Sequence, residues 1–339
     1  MSQTYHVRIL HEAITPIAHM RGNEGNVSVI NRQEVMTPAG LVKMPVLSGN
    51  ALRHRMIREP LAEHLVEAWG LSGRVTWECL NFLYHGGNLT GSTGREDTQR
   101  IAKLCRLIPF VRLLGGTLPD QILCGSVSVS DGLLVCREFA PAIRALFPAS
   151  SGWEVPDGLR CGEDYLGQYQ HTRGDAAKTH PLRGPKEQGV DSDTNLMIFS
   201  GETVVRGALF AQRISLRSVS DLELGAMLFA LRQWQASGGT VGGQSSRGKG
   251  YLQSAWHVEQ AYADHPAPVD EDAPVAAYLN HVAAFKDEGV AFLLSIYGEP
   301  GAKPAKPVKE NKRKAKSAKE VTLEEQVATE GPDKSGEDT

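Results

Sequence analysis

Apolar and polar residues alternate through Tyr5-His6-Val7-Arg8-Ile9-Leu10, the two-residue period of a half-buried strand. The period then changes. Leu52, Met56, Ile57, Leu61, Leu65 and Ala68 fall on one helical stripe and predict a helix from about Ala51 to Trp69, with Ser48 or Asn50 as N-cap and Gly70 as stop. Between these elements, residues 16–40 hold Gly, Asn and Pro around the short run Val27-Ser28-Val29-Ile30, which predicts a loop or small hairpin. From 75 to 116 the pattern is helical again but broken at Gly86-Gly87 and at Gly91-Ser92-Thr93-Gly94. Arg95–Arg100 then opens a second helix running to about Leu114. Two β-like runs, Ile122–Val129 and Gly132–Cys136, flank Ser130-Asp131, and Pro141–Leu146 reads as a short helix or turn.

Residues 150–195 are rich in Gly, Asp, Arg, Lys and His and poor in large aliphatics, the profile of a long functional or mobile insertion. Strand character returns at Thr203–Phe210 and Gln212–Leu216. A helix over 221–236, an alternating strand over Tyr251–Val258 and a last helix around Val275–Phe285, continued by Val290–Tyr297, follow. This order predicts an α+β fold with a ferredoxin-like (RRM-like) β-α-β-β-α-β core over 1–298, carrying a helical insertion at 75–116 and a second insertion at 155–206. Lys303–Lys319 holds eight cations and two prolines, and the last twenty residues are acidic, so 299–339 is expected to be a disordered charged tail. The fold by itself says little about function.

With 339 residues, 41% hydrophobic and 22% charged, the chain has the composition of a soluble globular protein. No apolar run has the length of a membrane span, and the N-terminus lacks the basic-then-apolar order of a signal peptide. The five cysteines have no Cys-x-x-Cys spacing, which favours neither a disulfide framework nor a zinc site and fits a reducing cytoplasm. A net charge of −3 argues against nucleic acid only until its distribution is considered. Cations gather at Arg53–Arg58, Arg173–Lys186 and Arg247–Lys249, and a local basic groove on a neutral protein can hold RNA.

The densest chemistry lies in Gly242-Gly243-Gln244-Ser245-Ser246-Arg247-Gly248-Lys249-Gly250-Tyr251. Glycines let backbone N–H groups converge on an anion, and Arg247 and Lys249 bring positive charge to the same place. From Gly243 to Lys249 the spacing approaches a nucleotide-binding P-loop. However, Gly250 stands where a magnesium-binding Ser or Thr belongs, and the loop follows a helix and precedes a strand. A nucleotide or small-ligand site on this loop remains an alternative.

Four segments in order carry a resemblance to the CRISPR-associated RAMP superfamily. Pro45-Val46-Leu47-Ser48-Gly49-Asn50-Ala51-Leu52-Arg53 resembles its "PGSSLKG-type" helix start, and Gly242–Tyr251 its glycine-rich loop. Leu113-Leu114-Gly115-Gly116 with Ser126–Asp131 looks like its "LFG … sDa" stretch. Thr172–Ala177 followed by Ile198–Glu202 is similar to the segment leading to its thumb hairpin. The resemblance spans about Tyr5 to Val258. It is closest to backbone subunits that polymerise along a guide RNA, most of all that of type IV systems, with the type III subunit as near competitor.

Such a subunit implies an antiviral-defence role in the cytoplasm, without cofactor or metal. Its implied partners are guide RNA (crRNA), copies of itself in a helical filament, other CRISPR effector subunits and target DNA met through guide pairing. The residues matched to RNA binding are Ser48, Gly49, Asn50, Arg53 and His54 at the helix start, and Gly242, Gly243, Ser245, Arg247 and Lys249 in the glycine loop. Arg173 and Lys178, with His171 and Arg183 nearby, belong to the thumb. Contacts should be to backbone and base faces rather than base edges. Arg55 and Arg58 equally fit a solvated helix face pairing with Glu59 or Glu63.

In type III backbone subunits an aspartate between the first strand and first helix cleaves target RNA. The matching position here falls near Asn31, whose amide does not titrate usefully, and no Asp lies between Met1 and Ala51. The resemblance therefore implies a non-catalytic scaffold. A type III-like ribonuclease using Glu24 or Glu34 is the alternative. His11 with His19, and His54 with His64, lack metal spacing, and Ser245-Ser246 sits in no Gly-x-Ser-x-Gly elbow.

Overall fold

Strand β1 (Gln3–Ala13) is the axis of the computed structural model, which describes residues 3–25, 27–89, 97–148, 153–172, 198–261 and 269–301. β1 pairs antiparallel with β12 (Leu209–Val219) on one edge and with β13 (Leu252–Gln260) on the other. The sheet continues from β12 through β9 (Gly132–Leu134) and β5 (Gly40–Leu47) to β4 (Arg32–Thr37), with β8 (Val127–Val129) also paired to β12. One helix, α1 (Gly49–Leu52), passes through a π-helical turn at Arg53–Arg58 into α2 (Glu59–Trp69) and links β1 to β8 and β9. A second helix, α7 (Asp221–Ala236), links β12 to β13. Strand order 13-1-12-9 with these two crossovers is the ferredoxin-like β-α-β-β-α-β core expected from the order of elements.

Alternation along β1 sorts the two faces. Val7, Ile9, His11 and Ala13 are buried against Ile214, Gln212 and Phe210 of β12, under the helices. The opposite face carries His6, Arg8, Leu10 and Glu12, where Arg8 pairs with Glu259 and donates to the carbonyl of Leu146 at 2.8 Å. That carbonyl ends α6 (Ala140–Leu146). Trp69 is fully buried and donates to the carbonyl of Val282 at 2.8 Å, which fixes α2 against α8 (Asp272–Ala284). α9 (Lys286–Tyr297) follows directly.

The insertion at 75–116 forms α3 (Trp77–His85), α4 (Thr98–Leu107) and α5 (Pro109–Leu114), then the small hairpin β6 (Gly116–Leu118) and β7 (Gln121–Leu123). The single helix expected up to Leu114 is therefore two, because Pro109 cannot donate to the preceding turn and Ile108 leaves helical geometry.

The larger correction concerns residues 16–40. They do hold the small hairpin, β2 (Met20–Glu24) paired antiparallel with β3 (Val27–Ile30), but they also supply a further strand, β4, which pairs with β5. β3 pairs in parallel with β11 (Ile198–Val204), which pairs antiparallel with β10 (Leu166–Thr172), so a second sheet runs β10-β11-β3-β2. The strand read over Thr203–Phe210 is in fact the end of β11 and the start of β12, separated by a turn at Arg206-Gly207. Residues 173–197 and 302–339 lie outside the described residues.

His11 yields a pH prediction. Its Nε2 faces the Gln212 side-chain oxygen at 3.0 Å and its Nδ1 the Ser254 hydroxyl at 2.7 Å, and burial pushes its pKa down from 6.5 to about 4. Below pH 6.5 the unfolded chain takes up a proton that the folded chain refuses. This group should therefore remove about 1.4 kcal/mol of stability per pH unit as pH falls towards 4, about 3 kcal/mol in all. Denaturant titrations at pH 7, 6 and 5 should show His11→Gln less stable at pH 7, with a pH dependence shallower by one proton.

Candidate nucleic-acid interface

The helix start is stitched in place from two sides. The Ser48 N–H donates to Nε2 of His19 at 3.1 Å, and the Gly49 N–H donates to the Asp131 carboxylate at 2.6 Å. A Cβ on Gly49 would lie 2.7 Å from the Val129 carbonyl, so only glycine permits this approach. Of Ser48, Gly49 and Asn50, matched to phosphate binding at this helix start, the first two thus have their N–H groups already bonded within the fold. Asn50, exposed at the same turn, lines a shallow cleft of about 290 Å³ with Arg53, Gly125, Val127 and Val129. To accept from Ser48, His19 must leave Nε2 unprotonated; burial lowers its pKa, against the opposing pull of Asp131.

The π-helical turn sets the arginines. Arg53 is half-buried, donates to the carbonyl of Leu114 and has its pKa lowered by burial. Arg58 is not on a solvated face: it is buried, donates to the Gly115 carbonyl at 2.9 Å, and burial pushes its pKa down to about 10. Arg55 does make the expected helix-surface pair, with both Glu59 oxygens at 2.7 and 2.6 Å. His54 stacks on His85 at 5.5 Å, its pKa lowered chiefly by burial.

In the glycine loop, Gly242 has φ +82° and presses on the chain at Ala18, where a Cβ would lie 2.6 Å from the carbonyl oxygen. Ser245–Arg247 form one 3₁₀ turn closed by left-handed Gly248. The loop then reaches the second sheet. Gln244 donates to the Tyr169 hydroxyl at 2.6 Å and accepts from Lys249 Nζ at 2.9 Å. That ammonium sits 3.1 Å from the centroid of the Tyr169 ring, and Arg247 Nη1 lies 3.0 Å from His171 Nε2. Arg247 thus requires a neutral acceptor on His171, whose pKa is lowered by desolvation first and then by Arg247 and Lys249. With β13 and not a helix next along the chain, the geometry is not that of a P-loop.

The two sequence-predicted clusters meet through His19, which bonds Ser48 and adjoins Gly242. His19 thus brings Ser48 and Gly242 together, whereas Arg173, Lys178 and Arg183 lie outside the described residues. Sequence reasoning missed Tyr169, Phe199 and Gln244 and gave His19 no role. A detectable signal did exist: the alternating Tyr169-x-His171 pair sits in a stretch otherwise poor in large apolar side chains.

Glu24 and Glu34 line a separate polar cleft of about 350 Å³ with Arg21, Val29, Ile30, Arg32, Lys43 and Glu202. Each carboxylate has a cation: Glu24 pairs with Arg21 at 2.9 Å, Glu34 with Lys43 at 3.7 Å and Glu202 with Arg32 at 2.6 Å. Asn31 is held by its backbone, donating to the His19 carbonyl at 2.8 Å and accepting from Val46 at 3.2 Å. No helix among the described residues is long and apolar enough to cross a membrane.

No protein-family model matches the chain, and no curated protein matches its sequence. Among solved structures, a chain of a type IV-B CRISPR complex has the same fold, with a TM-score of 0.50 and 15% identity, over 78% of this chain and 95% of that one. At that identity the likeness establishes the fold, which agrees with the fold that the sequence resemblance implied.

The loop geometry separates two adjacent glycines. Gly242→Ala should cost about 1–3 kcal/mol, from positive φ and the clash with Ala18. Gly243→Ala, with nothing within 4 Å of its Cβ position, should stay within about 0.5 kcal/mol. Thermal denaturation of the two variants checks the contrast.

Proposed function

We infer that this chain is a guide-RNA-binding backbone subunit of a type IV-like CRISPR effector complex. It holds the sugar–phosphate chain of the guide, polymerises along it with further copies of itself, and leaves guide bases available for pairing with target DNA. The observation that carries the reading is the convergence of the Ser48–Arg53 helix start and the Gly242–Lys249 loop on His19, within a fold shared with a chain of a type IV-B CRISPR complex. Two segments about 190 residues apart, each matched to RNA binding in the sequence resemblance, become neighbours. Their contacts suit a ligand held by backbone charge and not by base identity.

A non-catalytic role is supported by Asn31, near which the position matched to the type III aspartate falls. A second reading, a type III-like RNA endonuclease, is favoured by one observation: Glu24 and Glu34 line the same cleft, among three cations that could stabilise a developing phosphate charge. Incubating the chain with guide and complementary target RNA decides between them. Uncleaved target supports the scaffold; cleavage abolished by Glu24→Gln or Glu34→Gln establishes the nuclease.

Expressed alone, the chain should purify with host RNA, as a raised 260/280 nm ratio and a large mass that both collapse after ribonuclease and high salt. An RNA-free monomer that also ignores added guide RNA would overturn the reading. Arg247→Ala should weaken RNA binding across sequences and flatten the slope of log affinity against log salt by about 0.7, the loss of one single-strand phosphate contact. Asn50→Ala, which removes an exposed hydrogen-bonding side chain without removing charge, should leave that slope unchanged.

A further inference from the structure

The second sheet presents an aromatic surface whose use the sequence motifs do not explain. Tyr169 and His171 are two apart on β10 and so share a face. The register places Phe199 opposite His171 and Gly201 opposite Tyr169. The three ring planes are nearly parallel: Tyr169 and His171 are inclined by 13° with centroids 5.8 Å apart, and His171 and Phe199 by 16° with centroids 5.4 Å apart. Parallel planes at that separation are laterally displaced, like overlapping tiles. Tyr169 lies down on Gly201, where a Cβ would fall 2.6 Å from its hydroxyl oxygen, so the ring is held against the sheet. Lys249 covers Tyr169 from the loop side.

These rings do no work in the hydrophobic core, to which neither Tyr169 nor Phe199 contributes, and all three are half-exposed. The cation beside them, Arg247, touches the imidazole of His171 and has no carboxylate partner among the described residues. We propose that His171 and Phe199 form a stacking platform for a base of single-stranded RNA, with the adjoining phosphate taken by Arg247. This rests on the RNA-binding reading above and specifies how that same site holds a base. The pairing of charge and ring is what selects the ligand. An aromatic face accepts any of the four bases, and a guanidinium a few ångströms away matches the phosphate that necessarily accompanies each one. Binding exchanges a neutral imidazole acceptor on Arg247 for an anionic oxygen, and the geometry of the loop need not otherwise change.

The test uses the full-length chain and two fluorescently labelled strands of equal length, one a single-stranded RNA and one an abasic ribose-phosphate strand, compared by anisotropy. The wild-type protein is expected to prefer the strand that carries bases. Phe199→Ala should lower affinity for that strand about tenfold and leave abasic binding as it was. Phe199→Trp, which keeps a ring at the same place, should retain affinity, and its indole fluorescence should be quenched by the base-bearing strand and not by the abasic one. This second variant decides the matter should the alanine variant fail to fold. If Phe199→Ala binds both strands like wild type, or the fluorescence of Phe199→Trp ignores bases while Arg247→Ala weakens both strands, the platform is overturned and phosphate binding stands. If the wild-type protein binds neither strand, the RNA-binding reading itself falls.

Discussion

The structure depends on six residues that leave the end of β1, Ile14 to His19, and on the contacts that β11, the glycine loop and the helix start make with them. The Ile14 N–H and the Thr15 hydroxyl bond the backbone of Tyr251, and the carbonyl of Pro16 accepts from Gly250, which anchors the far end of the glycine loop. Ile17 exchanges both of its backbone bonds with Val204 at 2.9 Å, which fixes β11. The carbonyl of Ala18 is the surface on which Gly242 rests, and His19 joins the helix start at Ser48 to the Asn31 turn. A short extended segment can do this because its own N–H and C=O groups are not consumed by a ladder and must find partners elsewhere. Moving this segment would displace the helix start, the glycine loop and the second sheet together.

Behind that junction, a buried polar chain runs across the sheet under the helices. The Ser254 hydroxyl on β13 meets His11 on β1, His11 meets Gln212 on β12, and Gln212 donates to the Ser130 carbonyl at 3.0 Å. The next residue, Asp131, holds the Gly49 N–H. In a low-dielectric interior, each unmade bond in such a chain would cost about 1–3 kcal/mol, so the network tolerates one register between the strands and disfavours its neighbours. Core burial supplies the stability, while these few polar groups specify where β13 and the helix start sit relative to β1.

How much of this was legible in the sequence depended on whether the signal was local. The stripe Leu52–Ala68 gave the helix, and Gly70 ended it, in left-handed geometry. The start of α7 follows from Ser220 and Glu223, the Ser220 N–H donating to the Glu223 carboxylate at 2.6 Å. By contrast, β2 and β4 are short and carry polar residues on exposed faces, so their periodicity does not mark them, and the run Val27–Ile30 signals no more than a small hairpin. β3 also takes an edge of β11 from far along the chain, whereas β4 closes a hairpin with the adjoining β5. The candidate site divides in the same way. Glycines and cations announced the loop, but Arg58 reads as a surface residue until the carbonyls at Phe82, Leu114 and Gly115 turn out to surround it. His19 had no local pattern, since its role comes entirely from the distant Ser48.

The two cations of the glycine loop, indistinguishable by motif, are separated by their surroundings. Lys249 is committed: its ammonium lies on the Tyr169 ring and donates to Gln244, and desolvation together with Arg247 lowers its pKa. A contact of that kind is worth about 0.5–2 kcal/mol and would have to be given up for the ammonium to turn towards a ligand. Its effect is to fasten the loop to β10 and to hold Tyr169 flat. Arg247 leans on a single neutral nitrogen, and a charge-assisted bond to an anionic oxygen is roughly twice as strong as one between neutral groups. A guanidinium is also the better shape for phosphate, offering two donors in one plane. The loop therefore divides its labour between a lysine that fastens it to β10 and an arginine whose one polar side-chain contact among the described residues, the imidazole of His171, is the weaker of the two commitments.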